Sequence, residues 1–480
     1  MFIGRKDDLA FFNERYRSDH AEFIVLYGRR RIGKTELLTE FCRDKPNIFY
    51  SCNEYTDGKQ LAAFSEAVTA YAPSLYRYMR RALDWEETFT ALSMLPGEQK
   101  TVIVIDEFPY MCMGNKSIPS VLQNLWDRLL KDANIMLILC GSSMSFMENE
   151  ILAAKTPLYG RMTGIYKLAP MSFNEASRFF PDYSAEDRLT AYAILGGIPH
   201  YLRQFDPGVS LETNIKKQIL SKGTVLFGEA EYILHQELRE PAVYITLIET
   251  IATGCTKFSE ICARSGVESS KASGYLKNLK ELGIIIHEFP VNASAKERTK
   301  RNQGEYHIAD DFFRFWFSFV YRYASELAKG EIEDVWRLVI KDRLHDFASK
   351  AFENVCIEYL RNQKKTGCTP FEFITIGRWW GNVTHQDTNG KPVTAPEEID
   401  ILAANPEGNR FIAGECKFRR SPFDSAHFSA LKNKFPFQGD VTYYLFSLSG
   451  FTPALREEAA HSEHLKIVTL DEIAGDPNEH

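Results

Sequence analysis

The chain has 480 residues, 44% of them apolar and 25% charged, a balance that excludes wholesale disorder and predicts about three domains at roughly 150 residues each. Its 57 lysines and arginines face 64 aspartates and glutamates, for a net charge of −7, so any basic surface for nucleic acid must be local. Nine cysteines are scattered with no C-x-x-C pair, which argues against a zinc ribbon or a disulfide framework and fits a reducing compartment.

The amino end, MFIGRKDDLAFF, is charged within five residues and has no apolar run, so neither export nor membrane insertion is expected and a cytoplasmic protein is. The longest greasy stretch, residues 312–321, is broken by Arg314 and too short to span a bilayer. EFIVLYG, TVIVIDE and NIMLILCGSS are continuous apolar runs separated by helical patterns such as KTELLTEFCRD and VLQNLWDRLLKD. Runs of that kind predict strands of a parallel sheet buried on both faces. This α/β segment is expected over 1–168.

Residues 28–35, GRRRIGKT, fit G-x-x-x-x-G-K-S/T between a predicted strand and a predicted helix. In such a loop backbone N–H groups converge on phosphate oxygens at a helix N-terminus. Gly28 and Gly33 are the two fixed glycines, Lys34 would neutralise the β- and γ-phosphates, and Thr35 would offer its hydroxyl to Mg²⁺, with Glu36 next in the helix. Arg29, Arg30 and Arg31 occupy the free positions and are read as mostly solvated. TVIVIDE delivers Asp106 at a strand end, where ligands bind in open sheets, as a second Mg²⁺ holder. Glu107 is the candidate base that orients water. LILCGSS ends a further strand, and Ser142 or Ser143 is placed to bond the γ-phosphate or the water.

After Pro170 the texture becomes helical. Residues 172–175 read as a capping box and Gly196-Gly197 as a helix end, within a small helical segment over 169–238. From Pro241 three helices (PAVYITLIETIATG, KFSEICARSG, SSKASGYLKNLKELG) precede two short strands, IIIHEFPV and EYHIAD. That is the winged-helix pattern, expected over 239–308. Lys271, Lys277 and Lys280 lie on or near the outer side of the third helix, and Lys296, Arg298, Lys300 and Arg301 crowd the loop between the strands, a cluster suited to phosphate contact on DNA. A helical linker, 309–345, leads to a mixed α/β block over 346–480.

In that block, alternation places Glu415 and Lys417 of RFIAGECKF on one strand face. Asp400 of EEIDILAA sits on the preceding strand, one turn away. Two carboxylates and a lysine around one point suit metal-dependent phosphodiester cleavage, with acids holding Mg²⁺ or Mn²⁺ and Lys417 steadying the developing charge. Glu353, in the helix FASKAFENVCIEYL, is the third candidate ligand, and Glu398 a substitute. The alternatives are a fold of this kind used only for binding, or an ordinary salt bridge between Glu415 and Lys417.

Several motifs in order resemble the archaeal-type ATPases, in the AAA+/STAND branch of P-loop NTPases: FIGR at 2–5, the phosphate loop, IDEFPY at 106–110, LILCGSS, LYGRMTG at 158–164, LAPMSF and GGIPHYL. The resemblance covers about 1–320 and departs at Lys6, where a glutamate is usual. It implies a P-loop AAA+ core with a helical lid, ATP as ligand, Gly4 and Arg5 near the adenine, and Pro199 touching the nucleotide from the lid. It also implies Arg161 as a γ-phosphate sensor in cis or a finger in trans, the latter within a homo-oligomer. The last block resembles the PD-(D/E)xK nuclease superfamily, a restriction-endonuclease-like α/β fold, although Glu398-Ile399-Asp400 stands where Pro-Asp is usual. The expected function is an ATPase acting on DNA whose nucleotide state gates a metal-dependent endonuclease. The alternative is a STAND-like ATP switch or DNA-binding regulator whose last domain binds without cleaving.

Overall fold

The buried apolar runs become strands of a parallel sheet, as their composition requires. The structure, a computed structural model, describes residues 2–79, 84–300, 303–386 and 392–475. The chain divides into two units, Met1–Met171 with Ile198–His200, and Ser172–Gly197 with Tyr201–His480.

In the first unit β1 (Glu22–Tyr27), β2 (Asn47–Ser51), β3 (Thr101–Asp106), β4 (Ile135–Gly141) and β5 (Gly164–Lys167) form one sheet in the order β2-β3-β4-β1-β5. All its pairings are parallel. Every residue of β1, β3 and β4 is buried, which removes any alternation and explains the uninterrupted Val/Ile/Leu texture. One core packs Phe23, Val25, Ile103 and Leu137 of these strands against Phe64, Phe89, Leu122 and Trp126. Parallel pairing puts the carboxyl ends of β3, β4 and β1 side by side at one edge, and there the chain leaves for its loops.

The second unit begins with the capping box expected at residues 172–175: the Ser172 hydroxyl accepts from Glu175 N, and the Glu175 carboxylate accepts from Ser172 N. Gly196 ends the Ala185–Leu195 helix at φ 61°, a left-handed turn open to glycine. Helices Pro241–Ala252, Phe258–Ser265 and Ser269–Glu281 are followed by β6 (Ile285–Glu288) and β7 (Glu305–Ile308), which pair antiparallel. The loop between them carries a helical turn, Ala295–Arg298, closed by a Ser294–Glu297 capping box. Lys271, Lys277, Lys280, Lys296 and Lys300 are exposed. Arg298 instead folds back on the carbonyls of Val291 and Ala293, each at 3.0 Å. Arg301 lies outside the described residues.

The carboxyl-terminal sheet comprises β8 (Ile376–Gln386), β9 (Pro392–Ala404), β10 (Arg410–Lys417), β11 (Asp440–Ser447) and β12 (Leu465–Thr469), in sequential order. β8, β9 and β10 are antiparallel neighbours, and β10, β11 and β12 are parallel. The long helix Leu344–Lys365 covers one face through Ala348, Phe352, Val355 and Leu360. Phe173, Leu189 and Ala193 join that same core, so the 172–197 segment, expected within a lid spanning 169–238, folds as part of this unit.

Asp311 opens the Asp311–Phe315 helix and is mostly buried, bonded to Arg314 at 3.1 Å. Burial pushes its carboxyl up to about 6, against the pull of Arg314 and with help from Asp310. A folded-state carboxyl that holds its proton more tightly than the unfolded one favours folding at low pH, and that contribution is lost as pH rises from about 4 through 6. Asp311→Asn, which keeps the neutral shape, is therefore expected to gain on the wild type by about 2 to 5 °C in Tm between pH 5 and pH 8. Equal Tm differences at the two pH values would contradict this.

Candidate functional site

The phosphate loop leaves the carboxyl end of β1 and enters the Lys34–Cys42 helix. Gly33 caps that helix at φ 91°, a conformation that side chains resist. At Gly28 a Cβ would come within 2.8 Å of the Leu168 carbonyl oxygen, so only glycine allows the loop to close on β5. Lys34 is buried, and its Nζ donates to the carbonyls of Gly28 and Arg29, both at 2.9 Å. Burial pulls its ammonium down, while Cys140, Glu107 and Asp106 pull it back up. Among the described residues its hydrogen bonds go to carbonyls, which leaves the charge for an anion.

Asp106 ends β3 and is 3% exposed. Its Oδ2 accepts from the Thr35 hydroxyl at 2.7 Å, and its Oδ1 accepts from Glu107 N at 3.0 Å. This pair of hard oxygens beside the loop fits Mg²⁺. Glu107 is a non-glycine residue at φ 51°, a strained position. The turn aims its carboxylate at the end of β4, where Oε2 accepts from the Ser142 hydroxyl at 2.8 Å and from Ser142 N at 3.2 Å. The ends of β1, β3 and β4 thus bring together Lys34, Thr35, Asp106, Glu107 and Ser142.

Other expected site residues surround this group in different ways. Gly4 and Arg5 both adopt positive φ. The buried Arg5 guanidinium donates to the carbonyls of Ile32, at 2.9 Å, and Ala169, at 2.7 Å, and pairs with Asp8 at 3.3 Å. It braces the phosphate loop from behind. Pro199 packs beside Gly33, within 3.6 Å of where a Cβ would stand. His200 next to it bonds Arg31, so Arg31 is engaged where solvation was expected. Glu36 is exposed in the first helical turn. Arg161 is held by Asp127 through Nε and Nη2, the shortest bond 2.8 Å, and by the carbonyls of Pro157 and Tyr159.

At the other candidate site, β9 and β10 pair so that Ile401 faces Gly414, setting Asp400 and Glu415 on adjacent positions of neighbouring strands. The Asp400 carboxylate accepts from Cys416 N at 2.8 Å. Burial, then Glu415, then Glu353 push Asp400 up to about 7, the signature of like charges crowding one place. Lys417 and Lys434 each donate to Glu415 at 2.5 Å. Burial opposes the charge of Lys417, but Glu415 outweighs it and raises the ammonium. Glu353 turns to Lys350 at 2.9 Å and lies 3.8 Å from Arg378. Arg378 also binds Glu398 and, at 3.0 Å, Glu288 of β6. Among the described residues no group of three or more His, Cys, Asp or Glu side chains is arranged to hold a metal ion. Asp400 and Glu415 stand side by side as hard-oxygen donors, but Glu415 is bonded to Lys417 and Lys434, and Glu353 to Lys350.

Sequence reasoning missed Arg378, Lys350, Asp127 and His200. The i,i+3 spacing of Lys350 and Glu353 was a usable signal. The others meet their partners across tens of residues and carry no local pattern.

Residues 2–205 match a family described as an ATPase domain predominantly from Archaea, and residues 316–429 match one described as archaeal and bacterial proteins of unknown function. An uncharacterised protein of Methanocaldococcus jannaschii is 32% identical over 421 residues, 87% of this chain and 88% of that relative. An uncharacterised ATP-binding protein of the same organism is 44% identical over 45 residues, 9% of this chain and 76% of that relative. Among solved structures, a Walker-type ATPase of Pyrococcus abyssi is 21% identical, covering 66% of this chain and 96% of its own, with a TM-score of 0.49. The Aeropyrum pernix ORC2 protein is 13% identical, covering 68% and 95%, with a TM-score of 0.41. No helix of the described residues is long and apolar enough to cross a membrane.

Proposed function

We propose a mechanism from one premise: the chain belongs to the family of ATPases found predominantly in Archaea. Its nucleotide sits on the phosphate loop, where Lys34 leaves the carbonyls of Gly28 and Arg29 for the β- and γ-phosphates, and the loop N–H groups bind the remaining oxygens. Thr35 and Asp106 would hold Mg²⁺, which when bound would supply positive charge against the charge developing on the phosphates. Glu107 releases Ser142 and orients the attacking water, and Ser142 becomes free to bond the γ-phosphate. Pro199 approaches the nucleotide from beside Gly33. Arg161, partly exposed and paired with Asp127, suits charge sensing across a subunit boundary in a homo-oligomer. The observation that carries this reading is the meeting of Lys34, the Thr35–Asp106 pair and the Glu107–Ser142 pair at three adjacent strand ends.

The three helices with β6 and β7 are read as a winged helix that contacts DNA phosphates through Lys271, Lys277, Lys280, Lys296 and Lys300. The carboxyl-terminal sheet is read as a nuclease-like domain whose action is gated by nucleotide state. Asp400 and Glu415 would hold its Mg²⁺ or Mn²⁺, with Glu353 completing the set once Lys350 and Arg378 let go, and Lys417 would steady the departing charge. A second reading has support of its own: Glu415 is already neutralised by Lys417 and Lys434, which favours a domain that binds a strand without cutting it.

A cleavage panel separates the two. With Mg²⁺ or Mn²⁺ and ATP, the wild type is expected to cut at least one of single-stranded DNA, duplex DNA or RNA, and Asp400→Asn to lose about 100-fold or more of that rate while hydrolysing ATP normally. If the wild type hydrolyses ATP but leaves every nucleic acid intact, the cleaving reading is wrong and the binding domain stands.

A further inference from the structure

We propose that a hollow beside the carboxyl end of the Pro241–Ala252 helix is a phosphate-binding subsite, distinct from both sites above. It is a cavity of about 420 Å³ into which Arg264, Arg322 and Arg343 project, together with Ser318 and Tyr323. The arginines come from three separate places: the last turn of the Phe258–Ser265 helix, the 321–323 turn, and the 341–343 turn before the long helix. No aspartate or glutamate is among the described residues that line it.

The three arginines are exposed, so solvent screens their mutual repulsion, but an anion entering the hollow meets three guanidinium groups and no lining acid. The chain has more acids than bases, so pairing partners are abundant elsewhere, yet none lines this hollow. Arg322 alone has a carboxylate, Glu249 at 3.2 Å outside the cavity lining. Arg264 reaches only the Cys255 sulfur at 3.9 Å, and Arg343 lies 5.2 Å from the centre of the Phe319 ring. Among the described residues neither makes an ion pair. A helix carboxyl end accounts for Arg264 by itself, but not for the arrival of Arg322 and Arg343 at the same point. Guanidinium forks match phosphate oxygens two at a time, and the hydroxyls of Ser318 and Tyr323 can serve the remaining oxygens. The volume falls within the range of about 300–1,000 Å³ usual for small-molecule pockets, which admits a phosphorylated small molecule or one nucleotide of a strand. The shared chemistry is the phosphate group. The site stands independently of the winged-helix and nuclease readings.

The test uses the full chain carrying Lys34→Ala, so that the phosphate loop does not contribute. Labelled 20-mers of single-stranded and duplex DNA are titrated at several salt concentrations, and inorganic pyrophosphate is titrated by calorimetry. Arg264→Gln with Arg343→Gln is expected to weaken at least one probe about tenfold or more. For DNA it should also flatten the dependence of log affinity on log salt by about 1 to 2, as expected for two lost phosphate contacts. Loss confined to DNA identifies a strand as the source, and loss confined to pyrophosphate identifies a free phosphorylated molecule. Lys296→Gln with Lys300→Gln, in the wing loop, should weaken DNA alone. Retained pyrophosphate binding beside absent DNA binding would remove the DNA reading and leave this site. Arg264→Lys with Arg343→Lys keeps charge but loses the fork, and should retain Tm and bind at intermediate strength. The proposal is overturned if the parent binds none of the probes, or if the glutamine variant binds all of them as tightly as the parent.

Discussion

Lys34→Ala is expected to lower affinity for ATP with Mg²⁺ by about 100-fold or more, and to abolish turnover at any practical concentration. The ammonium is the buried cation of the phosphate loop, and among the described residues its hydrogen bonds go to two carbonyls. Removing one partner of a buried, charge-assisted contact costs about 2–5 kcal/mol, and about 1.4 kcal/mol is a factor of ten. The alanine variant also frees the carbonyls of Gly28 and Arg29, but their loop is held elsewhere by Arg5 through the Ile32 carbonyl, so Tm without nucleotide should fall little. Fluorescence titration with a labelled ATP analogue gives the affinity directly. Near wild-type affinity would show that the triphosphate is held by other groups, and the reading of the whole amino-terminal site would fail with it.

Glu107→Gln should produce the opposite division: nucleotide binding kept, hydrolysis reduced by about 10² to 10⁴, the range a positioned general base supplies. The carboxamide has the shape of the carboxylate, and its oxygen still accepts from Ser142, so the resting geometry survives. What it loses is the capacity to take a proton from water. The left-handed turn at Glu107 lies between β3 and the following helix, and the variant is expected to keep it. Single-turnover hydrolysis beside an affinity measurement distinguishes this from a binding defect. A glutamine variant that turns over at the wild-type rate would remove Glu107 from the role and point to another residue near Ser142.

The amino-terminal site was readable because its parts are local or topological. Buried parallel strands announce themselves by unbroken apolar texture, and a parallel sheet brings their carboxyl ends to one edge. The sequence therefore brings together Lys34, Thr35, Asp106 and one of Ser142 and Ser143. The bond from Ser142 to Glu107 was not legible there, since it depends on a left-handed turn that nothing in IDEFPY requires. In the carboxyl-terminal sheet, the pairing of Asp400 with Glu415 followed from strand alternation and a short turn. The cations that occupy these acids were hidden. Arg378 gathers Glu288, Glu353 and Glu398 from three elements, and only tertiary structure brings them within reach. Likewise, helices with the look of a lid at 172–197 share apolar contacts with a helix that begins at Leu344, because hydrophobic packing is indifferent to distance along the chain. The helical turn in the loop between β6 and β7 was written as Ser294-x-x-Glu297, a capping pattern that the density of basic residues around it obscured.

Arg5 has a kinetic corollary. With its guanidinium clamped to Ile32 and Ala169, the cradle for the triphosphate is rigidified when the protein folds, so the entropy of ordering it is spent before the ligand arrives. Lys34, Thr35 and Glu107 exchange side-chain bonds when the nucleotide binds, and side chains change rotamer far faster than loops refold. Arrival of nucleotide should then be limited by diffusion and access, and the slow step of the cycle should fall on bond cleavage or on product departure.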